Sequence, residues 1–410
     1  MRSRRVVTGL IAVVVGICLG FSSINKAEAQ ATVLHSFNGN SENDGNEPVG
    51  PVVFDSLGNL YGTTFNGGTT GWGTVFKLTP AAGGWSESIF FNFNGQEAAW
   101  PTSPLTFDSS GNIYGSTFFG GFLNDGAAFK ISLTGSEFTG LHDFGPRAHD
   151  GTNPRSGVIF DKLGNAYGTT TGGGKYGNGT VFQLSPITGG GWKEEILHSF
   201  DDADGWQPSP GLVMDDAGNL YGTTGFGGSS SACDSGCGVV YEISPKSEGG
   251  WSEKVVFNFN NTNGANPFTA LTIDADGNLY GMTSAGGLYN WGGVFELSHK
   301  TVAWKMKILH NFNSNGVDGN SPFGVLARDS AGNLFGATGY GGAYGVGTVF
   351  ELSPQKGGLW QETILYNFNS DGGGGYSPGS GPVLDSAGNL YGTTENGGSY
   401  GGGTVYEIVR

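Results

Sequence analysis

Three cysteines in 410 residues are too few to build a disulfide scaffold, and one of them, Cys18, lies in an apolar leader. Basic residues are also scarce. There are 19 Lys and Arg against 35 Asp and Glu, a formal charge of −16, which argues against nucleic acid or an anionic membrane surface as partner. Helical patterning is missing, because no segment sustains a 3.6-residue apolar period between caps, so an all-β chain is expected. Beyond Val6–Phe21 there is no long apolar run, which leaves no second candidate for a membrane span. A His-Glu-x-x-His zinc motif and a P-loop are absent as well. What the chain has in abundance is glycine, 78 residues, with no three-residue period, so it is not collagen-like.

The glycines punctuate a repeat. The element Asp-x-x-Gly-Asn, then an apolar residue, an aromatic and Gly, occurs seven times, with its Asp at Asp55, Asp108, Asp161, Asp215, Asp274, Asp329 and Asp385. The aromatics run from Tyr61 to Tyr391 at spacings of 53, 53, 54, 59, 55 and 56 residues. A period of this size marks a repeat architecture, and seven similar units argue for one cooperative domain over residues 30–410. Each Asp reads as a structural turn residue: its carboxylate can accept backbone N–H bonds while Gly and Asn supply left-handed backbone. A ring of catalytic Asp residues is the alternative, but a catalytic group is needed once, not seven times.

Each unit holds four short strand candidates. In the first they are Pro51–Asp55, Asn59–Thr63, Thr74–Leu78 and then Ser88–Phe93. Counted this way the last unit lacks its fourth strand, and Thr32–Phe37 is an orphan of the right type. That offset predicts a seven-bladed β-propeller of four-stranded antiparallel blades, closed by the N-terminal strand joining the last blade, which removes exposed sheet edges. An open β-solenoid is the rival, but it would want polar capping repeats. The residue two before the terminal Phe of each outer strand is His35, Phe91, His142, His198, Phe257, His310 or Tyr366. Exchange of His with Phe and Tyr predicts packed rings at this slot rather than metal ligands.

Arg2, Arg4 and Arg5, the apolar run to Phe21 and then Ala27-Glu28-Ala29 give the three-part order of a secretory signal over residues 1–29. Retention as an anchor is the alternative. Cleavage after Ala29 leaves 15 Lys and Arg against 34 Asp and Glu, a formal charge of −19, so a secreted or extracytoplasmic monomer with no membrane contact is expected. In that compartment Cys233 and Cys237 are expected to close a small disulfide loop. They lie in Gly225–Gly238, the elaboration that produces the 59-residue spacing.

Internal units of the form GNLYGTTxxGGxxxxGTVF, as in Gly58–Phe76, Gly164–Phe182 and Gly388–Tyr406, resemble the choice-of-anchor tandem repeat proteins of the GloVer type, exported bacterial proteins. The resemblance covers nearly all of the chain after the leader and implies export. The C-terminal anchoring segments of that family are not carried over, because the sequence stops at Arg410 directly after a strand. The Asp-x-x-Gly-Asn-Leu-Tyr piece also resembles the hairpin of propellers of the NHL and two-component-regulator types. Neither resemblance supplies catalytic residues.

Two loop sets should share one face of such a propeller. One carries Asp/Asn-Gly-x-x-Pro, with Asp44, Asp150, Asp204 and Asp318, and in all seven units its Pro lies seven residues before the turn Asp. It reads as a rigid turn, or alternatively as a partial ring of carboxylates at the channel mouth that could take sugar hydroxyls or calcium. No loop has the dense Asp pattern of a strong calcium site, so no metal or other cofactor is expected, with calcium kept as the alternative. Aromatics interrupt the same loops: Trp100, Trp206 and Tyr376 in one set, Trp72, Tyr176 and Trp291 in the other. Rings among Asn and Asp suit glycan stacking, with packing between loops as the competing use. Polysaccharide is therefore the first expected partner and an envelope protein the second. A polysaccharide hydrolase or lyase would need paired carboxylates, for which Asp201, Asp202, Asp204 and Asp234 are candidates.

Overall fold

The computed structural model describes residues 30–410 except Asn40, Glu42, 300–302 and Gly372. The expected signal segment, 1–29, lies outside the described residues. Seven small antiparallel sheets stand in a ring, a seven-bladed β-propeller, and the described residues contain no helix beyond a three-residue 3-10 turn at Lys356–Gly358. Blade 3 shows the plan, running from Ile159–Phe160 at the centre through Ala166–Gly173 and Thr180–Pro186 to Trp192–Ser199 at the rim. The innermost strand is broken, with a second piece, Gly151–Pro154, pairing further along the same neighbour.

The ring closes as the strand count predicts. Ala31–Ser36 is the outer strand of blade 7 and pairs antiparallel with Thr404–Ile408, Ala31 opposite Ile408 and Ser36 opposite Thr404. The backbone is thereby knit end to end, and the last blade has the same rim as the others.

At the turn between the two inner strands, Asp161 Oδ1 accepts from the backbone N–H groups of Leu163 (2.8 Å) and Asn165 (2.9 Å), while Oδ2 accepts from Asn165 Nδ2 (2.7 Å) and the Tyr167 hydroxyl (3.0 Å). Asp55, Asp108, Asp215, Asp274, Asp329 and Asp385 make the same Asn contacts. Gly164 between them sits at φ +83°, where a side chain would be strained. The glycine after the aromatic is fixed by crowding instead: a Cβ on Gly168 would lie 2.5 Å from the Phe182 ring.

A β-bulge in each outer strand decides what meets across the blades. Phe182 faces Ile196, but Val181 faces His198, leaving Leu197 unpaired. The bulge reverses the alternation of side chains, so the ring slot at His198 points to the opposite face from Glu194 and Ile196. The ring slot therefore looks toward the following blade and the Glu position toward the preceding one. Between them lie seven buried clusters, one per junction, such as Tyr114, Phe144, Val158 and Phe182 between blades 2 and 3. Burial of these rings and aliphatic chains between sheets is the main stabilising term.

Candidate functional site

The face opposite the Asp turns carries the loops that vary from blade to blade. Its backbone is shared: in all seven blades the residue before the loop proline is left-handed, from Ser321 at φ 50° to Glu47 at φ 58°. None of the seven is glycine, so each position carries strain that the surrounding contacts must hold. The contact is a hydrogen bond to the preceding blade, for instance Gln207 N to Asn178 O at 3.0 Å and Asn153 N to Asp125 O at 2.7 Å. The side chains at this slot are Glu47, Trp100, Asn153, Gln207, Asn266, Ser321 and Ser377. Here one backbone is used with different chemistry on every blade.

Between blades 2 and 5 these residues border a groove of about 760 Å³. Its apolar walls are Trp206, Phe226, Phe268 and Phe118, and its polar edge is Asn153, Gln207 and Arg155. Trp206 leans on Phe226 at 5.2 Å. The Arg155 guanidinium lies 4.4 Å from the centre of the Phe118 ring, a cation–π contact. It makes no ion pair among the described residues, and burial pushes its pKa down. Arg155 also reaches the mouth of the central channel, a second hollow of about 370 Å³ that it shares with Glu47 and Glu395. Burial, and then the charge of Glu47, raises the Glu395 pKa.

Of the aromatics singled out from sequence, Trp206 lines the groove. Trp100 is packed among Phe65, Phe119 and Trp72, with ring centres 5.2, 4.9 and 5.7 Å away. Tyr376 packs on a junction core. Trp72, Tyr176 and Trp291 are open to solvent. Tyr289 and Tyr400 were missed, although they occupy the same loop position as Tyr176 and Tyr344 and are equally exposed, which gives four blades an outward tyrosine. The signal was the loop alignment, Gly-Gly followed two residues later by Tyr. Arg155 was missed because it is a single cation after a proline, with nothing in the repeat to mark it.

Asp44, Asp150, Asp204 and Asp318 do not border the groove or the channel mouth. They lie against the outer-strand histidines: His35 to Asp44 at 3.2 Å, His142 to Asp150 at 3.3 Å, His198 to Asp204 at 2.8 Å and His310 to Asp318 at 3.1 Å. The loop Asp is needed there because its backbone neighbours also donate to it, as Asn38 N and Gly45 N do to Asp44. Each histidine ring also packs edge-on against the Phe two residues on, at 4.7–4.8 Å, so the slot is a packed ring with a polar end. A glutamate from the following blade joins each pair: Glu87, Glu194, Glu253 and Glu362. Burial first, and then the neighbouring Asp, pushes Glu194 up to about 7 and Glu362 up to about 8. For His142 and His310 burial acts downward, but the bond to Asp and the glutamate charge outweigh it and raise the pKa. Asp201, Asp202 and Asp234 are not among the groove residues either.

Cys233 and Cys237 are joined in a disulfide. Cys237 is fully buried, and its carbonyl accepts from Asn266 N at 3.0 Å, so the extended loop of blade 4 helps hold the left-handed residue beside Phe268. No helix among the described residues is long and apolar enough to cross a membrane.

Fold and loop face together define a closed, repeat-built propeller with its diversity gathered on one side. The chain belongs to the Gloeobacter/Verrucomicrobia repeat family, whose model matches residues 20–234 and 226–409. No curated protein matches the chain. Among solved structures it is similar to one titled a nidogen/laminin complex, at 17% identity over 72% of this chain and 95% of that one, TM-score 0.41. It is also similar to a luciferin-regenerating enzyme at 13% identity, over 76% and 91%, TM-score 0.44. At those scores neither neighbour bears on what this chain does.

Proposed function

We propose that this protein is an exported carbohydrate-binding propeller that seats a polysaccharide across its loop face. The observation that carries the reading is the groove itself: four aromatic walls with two amides and one unpaired guanidinium along one edge. Aromatic faces stack on the apolar face of a sugar, while amides bond its hydroxyls. An arginine without a carboxylate partner favours a polymer that bears carboxylates of its own. The leader-like N-terminus and the disulfide support export. The outward tyrosines extend the contact surface beyond the groove.

Affinity electrophoresis of the purified protein through gels of neutral and uronate-containing polysaccharides, with and without calcium, tests this reading. Retardation should be strongest on a uronate polymer, and both Trp206→Ala and Arg155→Ala should abolish it without moving the thermal transition. Free migration on every polymer, or full retardation of both variants, would sink the assignment.

A second reading, polysaccharide cleavage, is favoured by the carboxylate pair Glu47 and Glu395 beside the groove, one of them held protonated to higher pH than usual. It requires product release that Glu395→Gln stops while retardation persists. Retardation without product leaves the binding module alone.

A further inference from the structure

Seven junctions in one chain provide their own internal comparison, and the rim of each junction is built from three slots. The first is the ring slot of one outer strand, the second the loop residue four before the proline, and the third the inward position of the next outer strand. At four junctions these hold His, Asp and Glu. At the junction of blades 1 and 2 they hold Phe91, Glu97 and Phe138. The two rings stack at 5.6 Å, and Glu97 turns away to an exposed bond with Asn94. Between blades 4 and 5 they hold Phe257, Asn263 and Met306, and between blades 6 and 7 Tyr366, Gly374 and Ala31. The complete set is present or the histidine and its glutamate are both gone. A packing ring with an incidental polar neighbour would not require its partner on a different blade to change with it.

The polar atoms at the four rims do not balance. His142 Nε2 lies 3.3, 3.3 and 3.4 Å from Asp150 Oδ1, Asp150 Oδ2 and Glu194 Oε2, and it has one proton at most to offer the three. At His310 the distances are 3.1 Å to Asp318 and 3.6 Å to Glu362. One oxygen of each glutamate is buried with no hydrogen-bond partner, as is Asp318 Oδ1 on a residue only 4% exposed. With both carboxylates ionised, two negative charges face one imidazole, and protonation of the ring balances only one of them.

We propose that the four His–Asp–Glu rims are divalent transition-metal sites of the zinc class, one per junction, each clipping two adjacent blades together. One imidazole nitrogen and two carboxylate oxygens are three protein ligands of the types zinc takes, and the side chains, 5–20% exposed at the His142 and His310 rims, are not wholly closed off from a fourth ligand supplied by solvent. A tetrahedral ion with bonds of about 2.0–2.2 Å holds its donors about 3.3–3.6 Å apart, which is the nitrogen-to-oxygen separation at His142, while at His198 the aspartate lies closer, at 2.8 Å, and the pair would part slightly to admit an ion. Backbone N–H groups already orient the Asp ligand, at 2.8 Å from Asn38, 2.9 Å from Asp201 and 3.1 Å from Asn313, which is the outer support a ligand needs. This inference is independent of the polysaccharide reading.

The test is equilibrium dialysis of the untagged, EDTA-treated protein against zinc chloride, paired with the visible spectrum on cobalt chloride. About four equivalents should bind, and cobalt should give the intense absorption of a tetrahedral site. His142→Phe and Glu362→Met introduce residue types already found at the same slots of other junctions, so the fold has a precedent for each. Each should remove one of the four equivalents and a matching share of the cobalt signal. The fourfold variant, with His35, His142, His198 and His310 to Phe and the paired Glu87, Glu194, Glu253 and Glu362 to Met so that no glutamate is stranded, should remove all of it with the thermal transition of the metal-free protein retained. No binding by the parent protein, or four equivalents surviving in the fourfold variant, would overturn the proposal and leave the rims as hydrogen-bonded locks.

Discussion

The two faces of the propeller use the same residue types to opposite ends. On the turn face the aspartates have a surplus of donors: Asp161 accepts four hydrogen bonds from backbone, amide and hydroxyl. On the loop face the carboxylates outnumber the protons, and the glutamates at four rims keep an oxygen that accepts no hydrogen bond. The first arrangement lowers the acid's pKa and the second raises it. Sameness on one face is a folding device repeated seven times. The loop face keeps the same strained backbone and changes what it presents, which is where recognition can be individual.

Deleting Thr32–Phe37 should erase the contrast between faces altogether, because both depend on a closed ring. It removes the outer strand of blade 7 and exposes the Thr404–Ile408 edge, so aggregation or loss of most of the stability is expected on size exclusion and thermal unfolding. A monomer of unchanged stability would argue for an open array. Next in size is the turn face itself. Asp161→Ala leaves the turn N–H groups and Asn165 without their acceptor and should cost about 1–3 kcal/mol in denaturant unfolding while leaving polysaccharide retardation untouched. Trp206→Ala should do the reverse, and a crossed result would blur the division of labour.

At the rims, His142→Ala strands Asp150 and Glu194 and should cost about 2 kcal/mol. Installing the set from blades 4 and 5, His142→Phe with Asp150→Asn and Glu194→Met, should cost less than about 1 kcal/mol or stabilise. If the triple change were the worse of the two, the rims would not be interchangeable modules. The smallest effect concerns pH. The folded pKa of Asp55, Asp108, Asp161, Asp274 and Asp385 lies below the ordinary 3.8. The causes are burial, which opposes the shift, and the Asn and backbone bonds that outweigh it, joined by a tyrosine bond at Asp108, Asp161, Asp274 and Asp385 and by the Lys77 charge at Asp55. Their stabilisation is therefore complete above pH 3.8 and lost as pH falls through the folded values. Asp108→Asn with Asp161→Asn should flatten the thermal midpoint against pH below 4, and an unchanged slope would place the acid sensitivity elsewhere.

The repeat, the four strands per unit and the closure by Thr32–Phe37 were legible in the sequence, because turn chemistry and strand alternation are local and recur seven times. So was the flat ring at His35, His142, His198 and His310, since exchange with Phe is visible along one chain. The partners of those rings were not. Glu194 lies 52 residues from His142 on another blade, and only the bulge at Leu197 and its counterparts, read in three dimensions, turns one strand's ring and the next strand's acid toward each other. The loop aspartates were legible as residues but not in direction, and they went to the rim while Glu47, Arg155 and Glu395 came to the mouth. Sequence by itself determined the strands, their number and the ring they close, because strand and turn signals are local and recur seven times, and the orphan strand Thr32–Phe37 at one end matches the strand missing at the other. Tertiary structure alone decided which side chains share a site, because every junction and the groove are made between units, where sequence spacing carries no information about facing.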